Sequence, residues 1–118
     1  MHELSVVQGV VSTTHSFLEE NQIDHVEFLV LVVGDHTGVI PRYLKMYYPD
    51  VCKGTRLEGS ELLVERVPTE YFCKECGNVF SPIDEDHHHM NGTHCPECQC
   101  TDLECIRGDE LMIKEVRY

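Results

Sequence analysis

Two Cys-x-x-Cys pairs, Cys73-Lys74-Glu75-Cys76 and Cys95-Pro96-Glu97-Cys98, stand 18 residues apart in a chain of 118. This feature limits the fold more tightly than any other in the sequence. Two residues between thiols let a tight turn aim both sulfurs at one ion. Two such knuckles face to face supply the four thiolates that tetrahedral Zn²⁺ accepts. Gly77 suits the backbone reversal behind the first pair, and Phe72 and Val79-Phe80 supply flanking ribbon strands. Four thiolates leave no open coordination position, so the expected zinc is structural and not catalytic. Thioredoxin-like redox chemistry uses one such pair, and two facing pairs argue against it.

The stretch around the knuckles needs its metal. From Thr69 to Cys105 it holds six of the seven Cys, four of the eight His and few aliphatic residues. A segment so composed cannot build its own core, whereas a structural zinc contributes on the order of 10–16 kcal/mol. Between Tyr71 and Glu110 two bases face nine acids, which is over half of the whole chain's net charge of −12. Together with a pI near 4.9, that balance argues against nucleic acid, whose affinity rests on clustered Lys and Arg. Seven is an odd number of Cys, so full pairing within one chain is impossible. Cys52, Cys100 and Cys105 are left over and read as small buried or half-buried thiols. Cys100 lies close enough to the second knuckle to exchange as a ligand.

The opening Met1-His2-Glu3-Leu4-Ser5 carries no basic or apolar signal segment, and the longest apolar run, Phe28 to Val33, is far short of the ~20 residues of a membrane span. The expectation is a soluble cytoplasmic protein with reduced thiols and no membrane partner.

The N-terminal part has ordinary core patterning. Leu4, Val7, Val11 and Leu18, widened by Val6, Val10 and Phe17, mark one face of a helix from Leu4 to about Asn21. His25 to Val33 begins alternating and ends apolar on both faces, as a central strand covered by helices does. Gly34 to Gly38 is turn chemistry. Pro41 opens a second helix, with Tyr43, Leu44, Met46 and Tyr47 on its inner face and Pro49 as its end. Glu61 to Val67 reads as a strand closed by Pro68, and Leu111 to Val116 as a last short one.

Taken in order, Met1-His2-Glu3-Leu4-Ser5, Val33-Gly34-Asp35-His36-Thr37-Gly38-Val39, Gly54-Thr55, Glu58-Gly59, the paired knuckles and the C-terminal strand resemble the HypA family. These are nickel-insertion accessory proteins for [NiFe]-hydrogenase and, in some organisms, urease. The resemblance spans essentially the whole chain. It implies an α+β fold: a small α/β nickel-binding domain of two helices on a mixed three-stranded sheet (residues 1–68 and 106–118), plus a zinc-ribbon module (69–105). It also implies a metallochaperone and not an enzyme, with Zn²⁺ as structural cofactor and Ni²⁺ as transferred cargo. The nickel-binding residues would be Met1, His2 and Glu3. The implied partners are a HypB-type GTPase and the hydrogenase large-subunit precursor, with urease accessory proteins as further candidates, and the state is monomer or homodimer.

The chemistry of the N-terminus agrees with that implication. The α-amine, the His2 amide nitrogen and the His2 imidazole close adjacent chelate rings around one ion. The Glu3 amide completes the planar nitrogen set that Ni²⁺ favours. Binding of this kind releases protons and strengthens as pH rises.

Some features depart from the family pattern. The spacer between knuckles is long and carries Asp84-Glu85-Asp86-His87-His88-His89. This run reads either as a solvated acidic loop or as an auxiliary metal loop. His94, beside Cys95, is an alternative zinc ligand. Asp35 stands where the family often has Glu, and Pro49 shortens the second helix. His15 and His25 read as packing or surface residues, and His36 as a weak candidate for orienting a ligand. Two other functions compete: a zinc-ribbon adaptor for protein without nickel, and a catalytic metalloenzyme. The latter lacks a His-Glu-x-x-His motif, a phosphate loop or a triad.

Overall fold

The computed structural model describes residues 3–81 and 94–118. Helix α1 (Glu3–Glu20) buries Val6, Val7, Val11, Thr14 and Leu18, the face set by its apolar spacing. Its valines are indifferent helix formers, so this burial supplies most of its stability. The helix stops at Gln22, which takes the left-handed conformation (φ 57°). The Ile23 N–H then reaches back to the Leu18 carbonyl at 2.9 Å, closing the C-terminus.

Strand β1 (Phe28–Gly34) is central. It pairs in parallel with β2 (Glu61–Val67), from Phe28 opposite Glu61 to Gly34 opposite Val67. On its other side it pairs antiparallel with β6 (Leu111–Arg117), with a bulge between Val30 and Leu31. Parallel neighbours need a crossover, and helix α2 (Pro41–Cys52) supplies it. Leu29, Leu31 and Val33 meet both helices in one cluster with Val7, Val11, Leu18, Leu44, Tyr48 and Leu57. Val30 and Val32 occupy the other face, where the Lys114–Glu65 ion pair (3.0 Å) joins the two outer strands across β1. The expectation of helices over both faces of this strand is therefore corrected, because both helices share one core.

Helix α2 also corrects the reading of Pro49. The helix runs through it to Cys52. A proline removes one hydrogen bond from a helix interior, but Lys45, whose carbonyl would accept that bond, and Pro49 itself are both exposed. Burial of Tyr48 and Cys52, at 2% and 1% exposure, holds the last turn on the core. The inner face is Leu44, Tyr48 and Cys52, with Tyr47 packed partly against them. Met46 points outward at 55% exposure. The buried Tyr48 hydroxyl is satisfied by Ser60 Oγ at 2.7 Å.

After β2 the chain leaves this sheet and builds a second one from β3 (Glu70–Cys73), β4 (Val79–Phe80) and β5 (Leu103–Arg107), in the order β4-β3-β5. It then returns as β6. The molecule is correspondingly elongated, with a radius of gyration of 17.5 Å and extents of 55 × 25 × 19 Å. A compact chain of similar length measures about 13 Å. Among the described residues, no helix is long and apolar enough to cross a membrane.

Candidate metal centre

The two knuckles share one backbone design. In the first, the Cys73 N–H donates to the Asn78 carbonyl (2.9 Å), and the Gly77 N–H donates to the Cys73 carbonyl (2.8 Å). In the second, Cys95 donates to Cys100 (2.9 Å) and Gln99 to Cys95 (2.8 Å). The reversal requires positive φ at the residue after the second cysteine, 77° at Gly77 and 65° at Gln99. Glycine adopts this conformation freely, whereas a residue with a Cβ does so at a cost of about 1–2 kcal/mol.

The result is convergence of Cys73, Cys76, Cys95 and Cys98, whose sulfurs all lie within 4.8 Å of one another. Cys73 Sγ is 3.5 Å from Cys98 Sγ, and Cys76 Sγ is 3.6 Å from Cys95 Sγ. These spacings are far beyond a disulfide bond of about 2.05 Å. They fit the edges of a tetrahedron around an ion with metal–sulfur bonds of about 2.3 Å. Cys73 and Cys95 are fully buried, while Cys76 and Cys98 face solvent.

The thiols ionise unequally. Burial pushes Cys95 up, yet backbone N–H groups of Cys98 and Glu97, with Cys76 and the Asn78 amide, outweigh it and hold Cys95 down to about 6. The Cys76 N–H, acting against burial, lowers Cys73. The Cys100 N–H would lower Cys98, but hydrogen bonds with Cys73, Cys76 and Cys95, together with burial, raise it to about 12. Cys76 likewise moves up, because burial and its bonds with Cys95 and Cys73 exceed the lowering effect of the Asn78 N–H. Four thiols this close share their protons, and a divalent cation is the natural replacement for those that remain.

His94 is exposed, and neither it nor Cys100 belongs to the four-sulfur group. Cys100 Sγ instead accepts the Asp102 N–H at 3.3 Å. Met1, His2 and His87, His88 and His89 fall outside the described residues. Glu3, in the first turn of α1, accepts the Ile40 N–H on Oε2 at 3.1 Å. This contact ties the start of one helix to the start of the other. His36 lies in a 3-10 turn (Asp35–Thr37) just before α2, and its ring meets Tyr71 of β3. His15 accepts the Arg56 N–H (3.2 Å) and bonds to Glu19 (2.5 Å), so it packs α1 against the loop before β2.

Sequence reading did not single out Asn78, Gln99 or Tyr71. A signal for Gln99 was available, since it holds the same place behind its knuckle as Gly77. Tyr71 had none, because its partner lies 35 residues away.

A four-thiol ribbon carried on a small α/β domain defines a two-module protein built to hold metal. A family model described as hydrogenase/urease nickel incorporation, metallochaperone, hypA matches residues 1–118, and the chain belongs to the HypA family. Relatives include the hydrogenase maturation factor HypA of Dehalococcoides mccartyi strain 195, 30% identical over 98% of this chain and 92% of its own. That of Geobacter sulfurreducens is 32% identical over 98% and 97%. The solution structure of the Ni metallochaperone HypA from Helicobacter pylori shares the fold. It has a TM-score of 0.65 and covers 99% of this chain and 97% of that one at 20% identity.

Proposed function

We propose that this chain binds Ni²⁺ at Met1, His2 and Glu3 and delivers it for maturation of [NiFe]-hydrogenase. Its zinc is held at Cys73, Cys76, Cys95 and Cys98. A HypB-type GTPase and the large-subunit precursor are the partners, working in the cytoplasm, and the chain catalyses no reaction of its own. The observation that carries this reading is the closed set of four thiols. A site with no open position suits a resident ion, so an ion that must be passed on needs a different donor set. The nitrogen donors at the start of α1 supply one, with the planar geometry Ni²⁺ favours. The Glu3 contact with Ile40 fixes that end of the helix against α2. Bound zinc would supply the folding energy that the ribbon's side chains lack.

The test is a calorimetric titration of zinc-loaded protein with Ni²⁺, beside His2→Ala and a form with one residue added before Met1. One nickel per chain is expected. Both variants should weaken it by more than the roughly 10–100-fold that loss of a merely supporting group costs. Equal binding in all three would overturn the terminal site and move attention to His87, His88 and His89. No nickel binding at all would favour the adaptor function.

A further inference from the structure

The ribbon meets the α/β domain where β2 passes into β3 and β5 returns to β6. Gly34 and Gly108 face each other there, and a Cβ on Gly34 would overlap the Gly108 carbonyl. Gly108 has φ 89°, and a Cβ on it would press on the Pro68 carbonyl oxygen at 2.7 Å and on Thr69 Cα at 2.8 Å. Thr69 is fully buried in the joint. The backbone is stitched across it, with the His36 N–H donating to the Gly108 carbonyl and the Gly34 N–H to the Glu110 carbonyl, both at 2.8 Å.

Among the described residues, the side chains of His36 and Tyr71 reach from one module to the other. The His36 ring stands edge-on to Tyr71, with centroids 5.8 Å apart and planes at 89°. Its Nδ1 lies 3.3 Å from the Tyr71 hydroxyl. Tyr71 is 6% exposed and packs on its ribbon side against Phe80, centroids 6.0 Å apart. Modules joined through small interfaces ordinarily move relative to each other. Two glycine-permitted backbone contacts make a pivot, and a pivot fixes position better than angle. The histidine–tyrosine pair adds a side-chain contact between the modules beyond those backbone bonds, and it restrains the angle.

We propose that His36 and Tyr71 form a latch that holds the zinc ribbon at one orientation on the α/β domain, with the Gly34–Gly108 contact as its pivot. They are positioning residues, and the latch does not depend on which metal the N-terminus carries. Tyr71→Phe removes the hydroxyl alone, and His36→Ala removes both the nitrogen and the ring edge. The experiment measures residual dipolar couplings and amide order in the zinc-loaded full chain for wild type and both variants. Wild type should fit one alignment frame. In the variants, each module should keep its internal couplings, while amide order of the ribbon in the frame of β1, β2 and β6 falls by about 30%, the step from rigid to flexible backbone. A wild type that already needs two independent frames would overturn the latch. So would a His36→Ala protein with unchanged ribbon couplings. If Tyr71→Phe disturbs the ribbon itself, His36→Ala decides, since it lies outside the ribbon and on the surface.

Discussion

In the α/β domain Val7, Val11, Leu18, Leu29, Leu31 and Leu44 are each at most 3% exposed and touch one another in a single cluster. In the ribbon, among the described residues, the side chains buried that deeply are Cys73, Cys95 and, at the joint with the other module, Thr69. One module is held by apolar area removed from water, worth roughly 25 cal/mol per Å² and spread over many residues. The other brings four sulfurs together, where a bound zinc would concentrate its stability. A distributed core weakens in steps as residues are trimmed, whereas a metal-held fold depends on one event, the loss of its ion. The two modules of this chain should therefore fail separately and in different ways.

The largest effect should come from the sulfurs. Chelation of zinc, or Cys73→Ala, is expected to abolish the ribbon's amide dispersion while the signals of β1, β2 and β6 persist, because structural zinc is worth on the order of 10–16 kcal/mol. A Cys73→Ala ribbon that stays folded and keeps its zinc would contradict the four-thiolate set. Acid should act in the same direction. Zinc requires thiolates, so protons compete with it and affinity falls as pH falls. Cys95, held down to about 6, should be the last of the four to take a proton back. Zinc should thus stay bound at neutral pH and leave on acidification, followed with a zinc-sensitive dye, and the α/β domain should remain folded at that point.

The reverse experiment trims the core. Leu44 is fully buried between the helices and β1, so Leu44→Ala should cost about 2–5 kcal/mol of the α/β domain's stability, measured by denaturant unfolding. Zinc content and ribbon dispersion should be unchanged below that transition. Simultaneous loss of both modules would show that they unfold as one unit and would remove the distinction between them.

The same difference explains which parts of the molecule are legible in the amino-acid order. Spacing within a knuckle is local, and two Cys-x-x-Cys pairs at this separation point to one tetrahedral set, so the four converging sulfurs could be named from sequence. Helix α1 and strands β1 and β2 announce themselves by period. Elements that exist only through tertiary contact do not. Strand β5 is short and mixed, reading Leu-Glu-Cys-Ile-Arg. It becomes a strand because β3 offers it an edge, with Tyr71 opposite Cys105. Pro49 looks like a terminator to any local rule, and burial of Tyr48 just before it and of Cys52 beyond it overrides that rule. The contact between His36 and Tyr71 needs the whole path of the chain.

The smallest effect sharpens the comparison at the boundary between the modules. Asp35 is bonded twice to Arg66, from Nε to Oδ1 at 3.0 Å and from Nη2 to Oδ2 at 2.8 Å. The Asp35 side chain is 11% exposed and that of Arg66 is 43%. The pair ties the turn after β1 to the end of β2, beside the joint yet wholly within the α/β domain. Bidentate geometry and the half-buried carboxylate argue for more than a surface pair contributes, while the exposure of the guanidinium discounts it. Asp35→Ala should therefore cost about 1 kcal/mol in denaturant unfolding of the α/β domain. If zinc at the four sulfurs and not this pair holds the ribbon, its zinc content should not change. A loss of zinc from Asp35→Ala would mean that the turn stabilises the ribbon directly, and that the separation between a packed module and a metal-held one breaks down at their shared edge.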